Sequence, residues 1–141
     1  MAHRHTNLVL VVLAAAPLAT PAQSQAAPVN NWAEFHRAMA GCWTVPPGTD
    51  GSLIAYRFGL DKTGAIRGTP LTTARRLTGD RDAQARYEEA GSAALSRCFP
   101  MTVTASFGAI LGESPIYLRF VNTPPTAAYQ LNNNITVFAP R

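Results

Sequence analysis

Few residues in this chain have the types and spacings that enzyme active sites use. His36 is the only histidine after His5, and it lies beside the apolar side of a predicted helix, where histidine is usually structural rather than a general base. Glu88 and Glu89 are adjacent on a second predicted helix, so their carboxylates diverge around its axis and do not form an acid–base pair. We therefore predict that the protein is not an enzyme, and a small hydrolase that uses His36 is the least favoured class.

Motifs for binding ligands are equally weak. Gly108-Ala109-Ile110-Leu111-Gly112 lacks the Lys-Ser/Thr ending of a phosphate-binding loop. Asp61-Lys62-Thr63-Gly64 lacks the further oxygen ligands of a calcium loop. Asn134-Ile135-Thr136 fits a glycosylation sequon, which is an unspecific signal. No cofactor and no metal are predicted.

The two cysteines, Cys42 and Cys98, are far apart in the sequence. They form no Cys-x-x-Cys redox motif, and His36 alone does not complete a zinc site with them. Because an isolated pair in an exported protein is typical of a disulfide, we predict a Cys42–Cys98 bond. Closing a loop of this length stabilises a fold by roughly 4 kcal/mol in the chain-entropy model.

Residues 1–26 have the pattern of a signal peptide. Arg4 precedes the apolar run Leu8–Ala16, and Pro17 and the small-residue site Ser24-Gln25-Ala26 follow it. The run is too short for a membrane-spanning helix, which needs about 20 apolar residues, so an uncleaved anchor is disfavoured. We expect cleavage after Ala26 and export to the periplasm, with secretion into the medium as the alternative. No later segment is predicted to span a membrane.

The composition indicates a folded domain with a mildly basic surface. Hydrophobic residues make up 47% of the chain and charged residues 14%, which argues against intrinsic disorder. The formal net charge is +4, and the arginines are scattered along the sequence rather than clustered. Because phosphate binding needs basic groups on one face, no nucleic-acid partner is predicted.

Hydrophobic periodicity divides the chain after residue 26 into five elements. The predicted helices are Trp32–Gly41, capped by Asn30 or Asn31, and a segment capped by Asp80 that ends before Pro100. The predicted strands are Ser52–Leu60, Ala65–Gly68 and Ile116–Val121, the first two joined by a turn over Asp61–Gly64. Residues 69–79 and 101–114 are predicted as connections. In the Pro- and Asn-rich tail, residues 122–141, only Ile135–Phe138 has the pattern of an added strand.

This order of elements predicts an α+β domain over residues 27–121. Two helices pack on one face of a small, mainly antiparallel three-stranded sheet in the order α-β-β-α-β, with one disulfide. The strand order is open at this stage, since Ile116–Val121 can lie at the edge of the sheet or beside the hairpin.

Six motifs in this order resemble the periplasmic C-terminal domain of the TonB and TolA families, in the short stand-alone exported form found in alphaproteobacteria. They are Cys42-Trp43-x-x-Pro46-Pro47, Phe58-x-Leu60-Asp61-x-x-Gly64, Ile66-x-Gly68-x-Pro70, Tyr87-Glu88-x-Ala90, Ala93-Ala94-Leu95-x-Arg97-Cys98-x-Pro100 and Pro115-Ile116-x-Leu118-x-Phe120. Energy-transducing members also have a membrane-spanning N-terminal helix and a long spacer, whereas here the signal peptide leads within a few residues to the domain. Coupling to a proton-driven motor is therefore not expected.

The resemblance implies binding by β-strand addition, as TonB binds transporter segments and TolA binds TolB. The expected edge strand is Ile116–Val121, in which Ile116, Leu118 and Phe120 face the core and Tyr117 and Arg119 face outward. We thus expect a cell-envelope adaptor that binds a protein or peptide segment at this strand. The alternative is a secreted, disulfide-stapled binding or inhibitor protein. If the strand is not the site, the Arg75-Arg76 segment or the Pro-rich tail is the next choice.

Overall fold

The computed structural model describes residues 26–123 and 135–138, and within the last segment it describes a side chain only at Val137. The predicted signal peptide, apart from Ala26, and most of the predicted tail lie outside the described residues. The helices and strands, in chain order, are α1 (Trp32–Cys42), β1 (Leu53–Leu60), β2 (Ile66–Arg76), α2 (Arg81–Cys98), α3 (Ala105–Leu111), β3 (Ile116–Val121) and β4 (Ile135–Phe138).

The strands form one antiparallel sheet in the order β2-β1-β3-β4. Strand β3 therefore lies beside the hairpin, and the added strand that the tail pattern allowed is present. The α+β class, with helices on one face of a small antiparallel sheet, is confirmed.

The hairpin between β1 and β2 is built by local chemistry. The Asp61 carboxylate accepts hydrogen bonds from the Thr63 hydroxyl and from the backbone amides of Thr63 and Ala65. These bonds, the Thr63 hydroxyl first, hold the pKa of Asp61 below its usual value. Gly64 closes the turn with a φ of 85°, a conformation that favours glycine.

Two predicted connections contain structure instead. Residues 69–79 were predicted as a connection, but strand β2 continues to Arg76. Its pairing with β1 resumes after each of two register shifts. Residues 101–114 contain the short helix α3, which Thr104 caps through its hydroxyl. Phe107 of α3 lies with its ring centroid 5.3 Å from that of Trp32, so packing against α1 supports a helix whose own sequence is too short to be stable alone.

The core lies between the sheet and the helices. Strands β1 and β3 supply its floor through alternate buried residues, which are Ile54, Tyr56, Phe58, Leu60, Ile116, Leu118 and Phe120. Phe35 and Met39 of α1 and Tyr87 of α2 cover them. The predicted caps are present, since the Asn31 and Asp80 side chains accept hydrogen bonds from Glu34 N and Ala83 N. None of the helices within the described residues is long and apolar enough to cross a membrane.

Cys42 and Cys98 form a disulfide, as predicted, with their Cα atoms 5.8 Å apart. Cys42 is the last residue of α1 and Cys98 the last of α2. The bond therefore ties the C-terminal ends of the two main helices together over the sheet.

Helix α3 approaches the β1–β2 turn so closely that one of its positions has room only for glycine. A Cβ atom added at Gly108 would lie 2.1 Å from the Lys62 carbonyl oxygen, far inside van der Waals contact. Alanine normally stabilises a helix relative to glycine by about 0.5–1 kcal/mol. Here we expect Gly108→Ala to have the opposite sign and to lower the free energy of unfolding by about 1–3 kcal/mol through overpacking.

Gly41 in α1 is the matched control, because a Cβ atom there would meet nothing within 4 Å. Gly41→Ala should raise the free energy of unfolding by up to about 1 kcal/mol. Urea denaturation of both variants measures the two signs. A stabilising Gly108→Ala variant would show that α3 does not contact the turn in this way.

Candidate functional site

The residues weighed for catalysis do not assemble into a site. Within residues 26–123 and 135–138, no group of three or more His, Cys, Asp or Glu side chains could hold a metal ion. His36 is half-buried on α1, while Glu88 forms an ion pair with Arg75 of β2 and Glu89 is exposed on α2. That the protein is not an enzyme stays a prediction.

Strand β3 shows the alternation predicted for a binding strand. Ile116, Leu118 and Phe120 are at most 1% exposed, whereas the side chain of Tyr117 is 43% exposed and Arg119 is exposed as well. Val121, the last residue of the strand, is partly buried. Tyr117 and Arg119 thus lie on the exposed face of β3, and the opposite face of the strand belongs to the core.

The prediction that β3 is a free edge of the sheet is wrong. Strand β3 pairs with β1 on one side and with β4 on the other, where Tyr117 is opposite Phe138 and Phe120 is opposite Ile135. The reason is that the tail returns a four-residue strand to the backbone groups that β3 would otherwise leave unpaired. The sheet edges in the described chain are β2 and β4.

Strand β2 is the longer of the two edges and carries features that discourage pairing. Pro70 lacks a backbone donor and lies within one of the two register shifts in the ladder with β1, between the pairs that Arg67 and Leu71 make. Arg67, Arg75 and Arg76 add like charges, and no residue of β2 is fully buried. Natural proteins use these same features to protect edge strands from pairing with other chains.

The C-terminal end of β3 is anchored by a buried polar cluster. The Tyr87 hydroxyl lies 3.0 Å from the Ser52 carbonyl oxygen and 3.2 Å from that of Phe120. Asn122 donates from its side chain to the Thr49 hydroxyl and from its backbone amide to the Ser52 carbonyl oxygen. The Tyr87 hydroxyl donates within this cluster, and burial raises its pKa. Sequence reasoning missed this cluster, for which a polar residue directly after a buried strand was the only signal.

Aromatic packing holds β3 from the helix side as well. The Trp43 ring, which follows α1, stacks on Phe120 with centroids 4.5 Å apart, and its edge faces Tyr87 at 5.4 Å. Together with the ladder to β1, these contacts fix β3 without any contribution from β4. Strand β3 is thus held by β1, Tyr87 and Trp43 in addition to its pairing with β4.

A groove of about 600 Å³ lies between β2 and α2 and was also missed from the sequence. Leu95, Phe99 and Pro100 supply apolar lining, and Tyr56 and Ser92 supply hydroxyl groups. Burial raises the pKa of Tyr56, while its hydrogen bond with Ser92 acts in the opposite direction. The groove is suited to uncharged side chains or small molecules, since no ionisable group other than Tyr56 lines it.

Comparison with known proteins places the chain in a family. No curated protein and no solved structure matches it. One family model, described as uncharacterised conserved protein UCP034077, matches residues 25–124. The matched region includes every element from α1 to β3 and ends before β4. Because it covers most of the chain, the protein belongs to the family of uncharacterised conserved protein UCP034077.

Proposed function

We propose that the protein is a non-enzymatic periplasmic binding module that resembles the TonB and TolA C-terminal domains and serves as a cell-envelope adaptor. It binds a segment of its partner as a β-strand beside β3, in the place that β4 takes in the free protein. The observation that supports the proposal is the β3–β4 ladder, in which this edge of β3 pairs with a strand from the tail of the same chain.

The geometry of the ladder favours a strand partner. Its four pairs, from Tyr117 to Phe120, run without a register shift, unlike the ladder of β2. Strand β3 has six residues, and all six pair with β1. A partner strand longer than β4 can therefore extend the ladder to Ile116 and Val121, gaining backbone hydrogen bonds that β4 does not make.

Displacement of β4 leaves the rest of the domain supported. Tyr87, Trp43 and Asn122 hold β3 through contacts that do not include β4. Val137 of β4 packs partly buried against the core, so an incoming strand has to cover that apolar surface with a side chain of its own. The end of the family match at residue 124 is consistent with β4 being an addition to the shared domain.

The proposed location rests on two features. Residues 1–26 have the pattern of a cleaved signal peptide, and the Cys42–Cys98 disulfide is typical of an oxidising compartment. Fractionation of expressing cells tests this part, because recovery in the medium rather than the periplasm would favour the secreted binding or inhibitor protein.

The binding test begins with a pull-down from envelope extract that uses the tagged mature protein. With the partner in hand, Tyr117→Ala and Arg119→Ala are expected to weaken binding, because these side chains flank an added strand. Their free energies of unfolding should stay within about 0.5 kcal/mol of the wild type, as for most exposed substitutions. Val137→Pro removes a backbone donor from β4 and should strengthen binding, since the competing strand pairs less well.

Leu71→Ala provides the matched control, because Leu71 is an exposed residue of β2, at the opposite edge of the sheet. Its binding should equal that of the wild type. Equal binding by the Tyr117, Arg119 and Val137 variants, with each shown to be folded, would exclude the β3 edge. The Arg75-Arg76 segment or the Pro-rich tail would then be the place to look.

A further inference from the structure

The charges of the sheet are all of one sign. The four strands contain five arginines, Arg57, Arg67, Arg75, Arg76 and Arg119, and neither aspartate nor glutamate. The eight acidic residues of the chain lie in the helices, their caps and the loops. Basic residues that are scattered in the sequence are therefore brought together by strand pairing.

Strand register places four of the five arginines on the face of the sheet that the helices leave open, here called the outer face. Arg76 is opposite Leu53, Arg119 is opposite Ala55, and Arg67 is opposite Gly59. Arg57 lies between Leu71 and Tyr117 in one row across three strands. The fifth, Arg75, is opposite the inward-facing Ile54 and forms an ion pair with Glu88 of α2.

No helix of the described chain covers the outer face. The helices pack on the opposite side, where Tyr87 of α2 and Phe35 of α1 join the core cluster with the inward-facing residues of β1 and β3. Two large apolar side chains are left exposed beside the arginines, Leu71 at 57% and Tyr117 at 43%. Small residues, Ala55 and Gly59, lie at the centre of the face and form its low points.

Each low point has arginine at its wall. A depression of about 240 Å³ over Ala55 is lined by Tyr117 and Arg119. A second of about 180 Å³ lies over Gly59 between Arg57 and Arg67. The Arg57 guanidinium lies 5.8 Å from the centroid of the Tyr117 ring. Arg67 donates one hydrogen bond from Nη2 to the Gly112 carbonyl oxygen. Since a guanidinium has five N–H donors, both retain donors for an anionic oxygen.

We propose that the outer face docks on the surface of a lipid bilayer that contains anionic phospholipids. The arginines spread over about 20 Å along the strands and about 10 Å across them, as the spacings of a sheet dictate. Such a two-dimensional array matches a plane of phosphate groups, whereas an extended acidic polymer would contact only one line of it. Exposed tyrosine and leucine between arginines is also the composition of surfaces that sit at the lipid headgroups.

The docking surface shares Tyr117 and Arg119 with the strand-addition site, but the bilayer would contact the outer face whereas the partner strand would pair with the edge of β3. A sheet that lies with its outer face on a bilayer keeps its edges in the plane of the membrane and open at the side. The inferred docking is therefore compatible with partner binding beside β3 but does not depend on it.

Co-sedimentation of the mature protein with vesicles tests the proposal. We expect binding to vesicles of equal parts phosphatidylglycerol and phosphatidylcholine, no binding to phosphatidylcholine alone, and loss of binding as salt is raised. The paired variant Arg57→Gln/Arg67→Gln should weaken binding about 25-fold, at roughly fivefold for each basic residue near an anionic surface. Leu71→Ser should weaken it further, because its side chain enters the headgroup region.

The matched control is Arg81→Gln/Arg86→Gln, which removes the same charge from exposed positions on α2, on the helix side. This pair should change binding less than twofold, and circular dichroism shows that both pairs are folded. An equal loss in both pairs, or no vesicle binding at low salt, would overturn the proposal. Tight binding of polyglutamate or of a single-stranded oligonucleotide, without binding to the vesicles, would also overturn the proposal. Inorganic phosphate should release no more protein than sodium chloride does at the same ionic strength, and greater release by phosphate would show that free phosphate rather than the bilayer is the ligand.

Discussion

The double variant Cys42→Ala/Cys98→Ala is expected to lose about 2–5 kcal/mol of unfolding free energy, the range for native disulfides in small exported domains. The bond joins the ends of α1 and α2 across 56 residues of sequence. Without it the unfolded chain regains the freedom of that loop, so the unfolded state is favoured. For a domain near 100 residues, each 1 kcal/mol lowers the melting temperature by about 4–8 °C. Thermal and urea denaturation of the purified mature protein measure the loss.

Reductant provides the internal control for this variant. Dithiothreitol should lower the urea midpoint of the wild type toward that of the double variant and leave the double variant unchanged. Stoichiometric thiol labelling of wild-type protein in denaturant, before any reductant is added, would contradict the bond.

Leu118→Ala is expected to cost about 2–5 kcal/mol, because it leaves a cavity under the centre of the sheet. Leu118 is 1% exposed, and it pairs with Tyr56 of β1 and with Val137 of β4. Strand β1 pairs with β3 along the whole length of β3 and lies inside the sheet, so the cavity has little freedom to collapse. The urea midpoint should fall, and the slope of the transition should stay the same.

Tyr117, the residue next to Leu118, provides the control that tests which face of β3 is buried. Tyr117→Ala lies one position away on the same strand, but its side chain is 43% exposed, and the change should stay within about 0.5 kcal/mol. If Tyr117→Ala were the more damaging of the two, β3 would have to be in the opposite register, since a shift of one residue exchanges the two faces.

Elements with local signals were predictable from the sequence. The β1–β2 turn follows from the hydrogen-bonding capacity of Asp61 and the positive φ of Gly64, both of which are properties of adjacent residues. Helix α2 follows from the Asp80 cap and the buried stripe that includes Ala83 and Tyr87. Strand β3 follows from its alternation, which one buried face imposes.

The elements that were missed depend on contacts made elsewhere. The second half of β2, Thr69–Arg76, is mostly exposed on both faces, so no alternation marks it as a strand. Helix α3 is seven residues long and is supported by the packing of Phe107 on Trp32 and Phe35. Neither contact is visible in the residues of the helix itself.

The site shows the same division. The outward direction of Tyr117 and Arg119 was predictable because alternation alone determines it. The neighbour of β3 was not, since it comes from Ile135–Phe138, beyond a Pro- and Asn-rich segment. The arginines of the outer face meet only through the register of three strands, so their sequence positions suggested a scattered charge.

The position of β1 in the sheet has a consequence for how the chain reaches its folded state. Its pairing with β2 needs only the Asp61–Gly64 turn, and hairpins of this kind close within about 1–10 μs. The other edge of β1 pairs with β3, which follows both α2 and α3 in the chain. Pairing between strands that are so far apart in the sequence is slow. A chain whose N-terminal part folds first therefore exposes Ile54, Tyr56 and Phe58 on a hairpin in which one edge of β1 is unpaired. Other incompletely folded chains can pair with that edge. The hairpin that forms most easily is thus the part of the molecule most exposed to aggregation until β3 arrives.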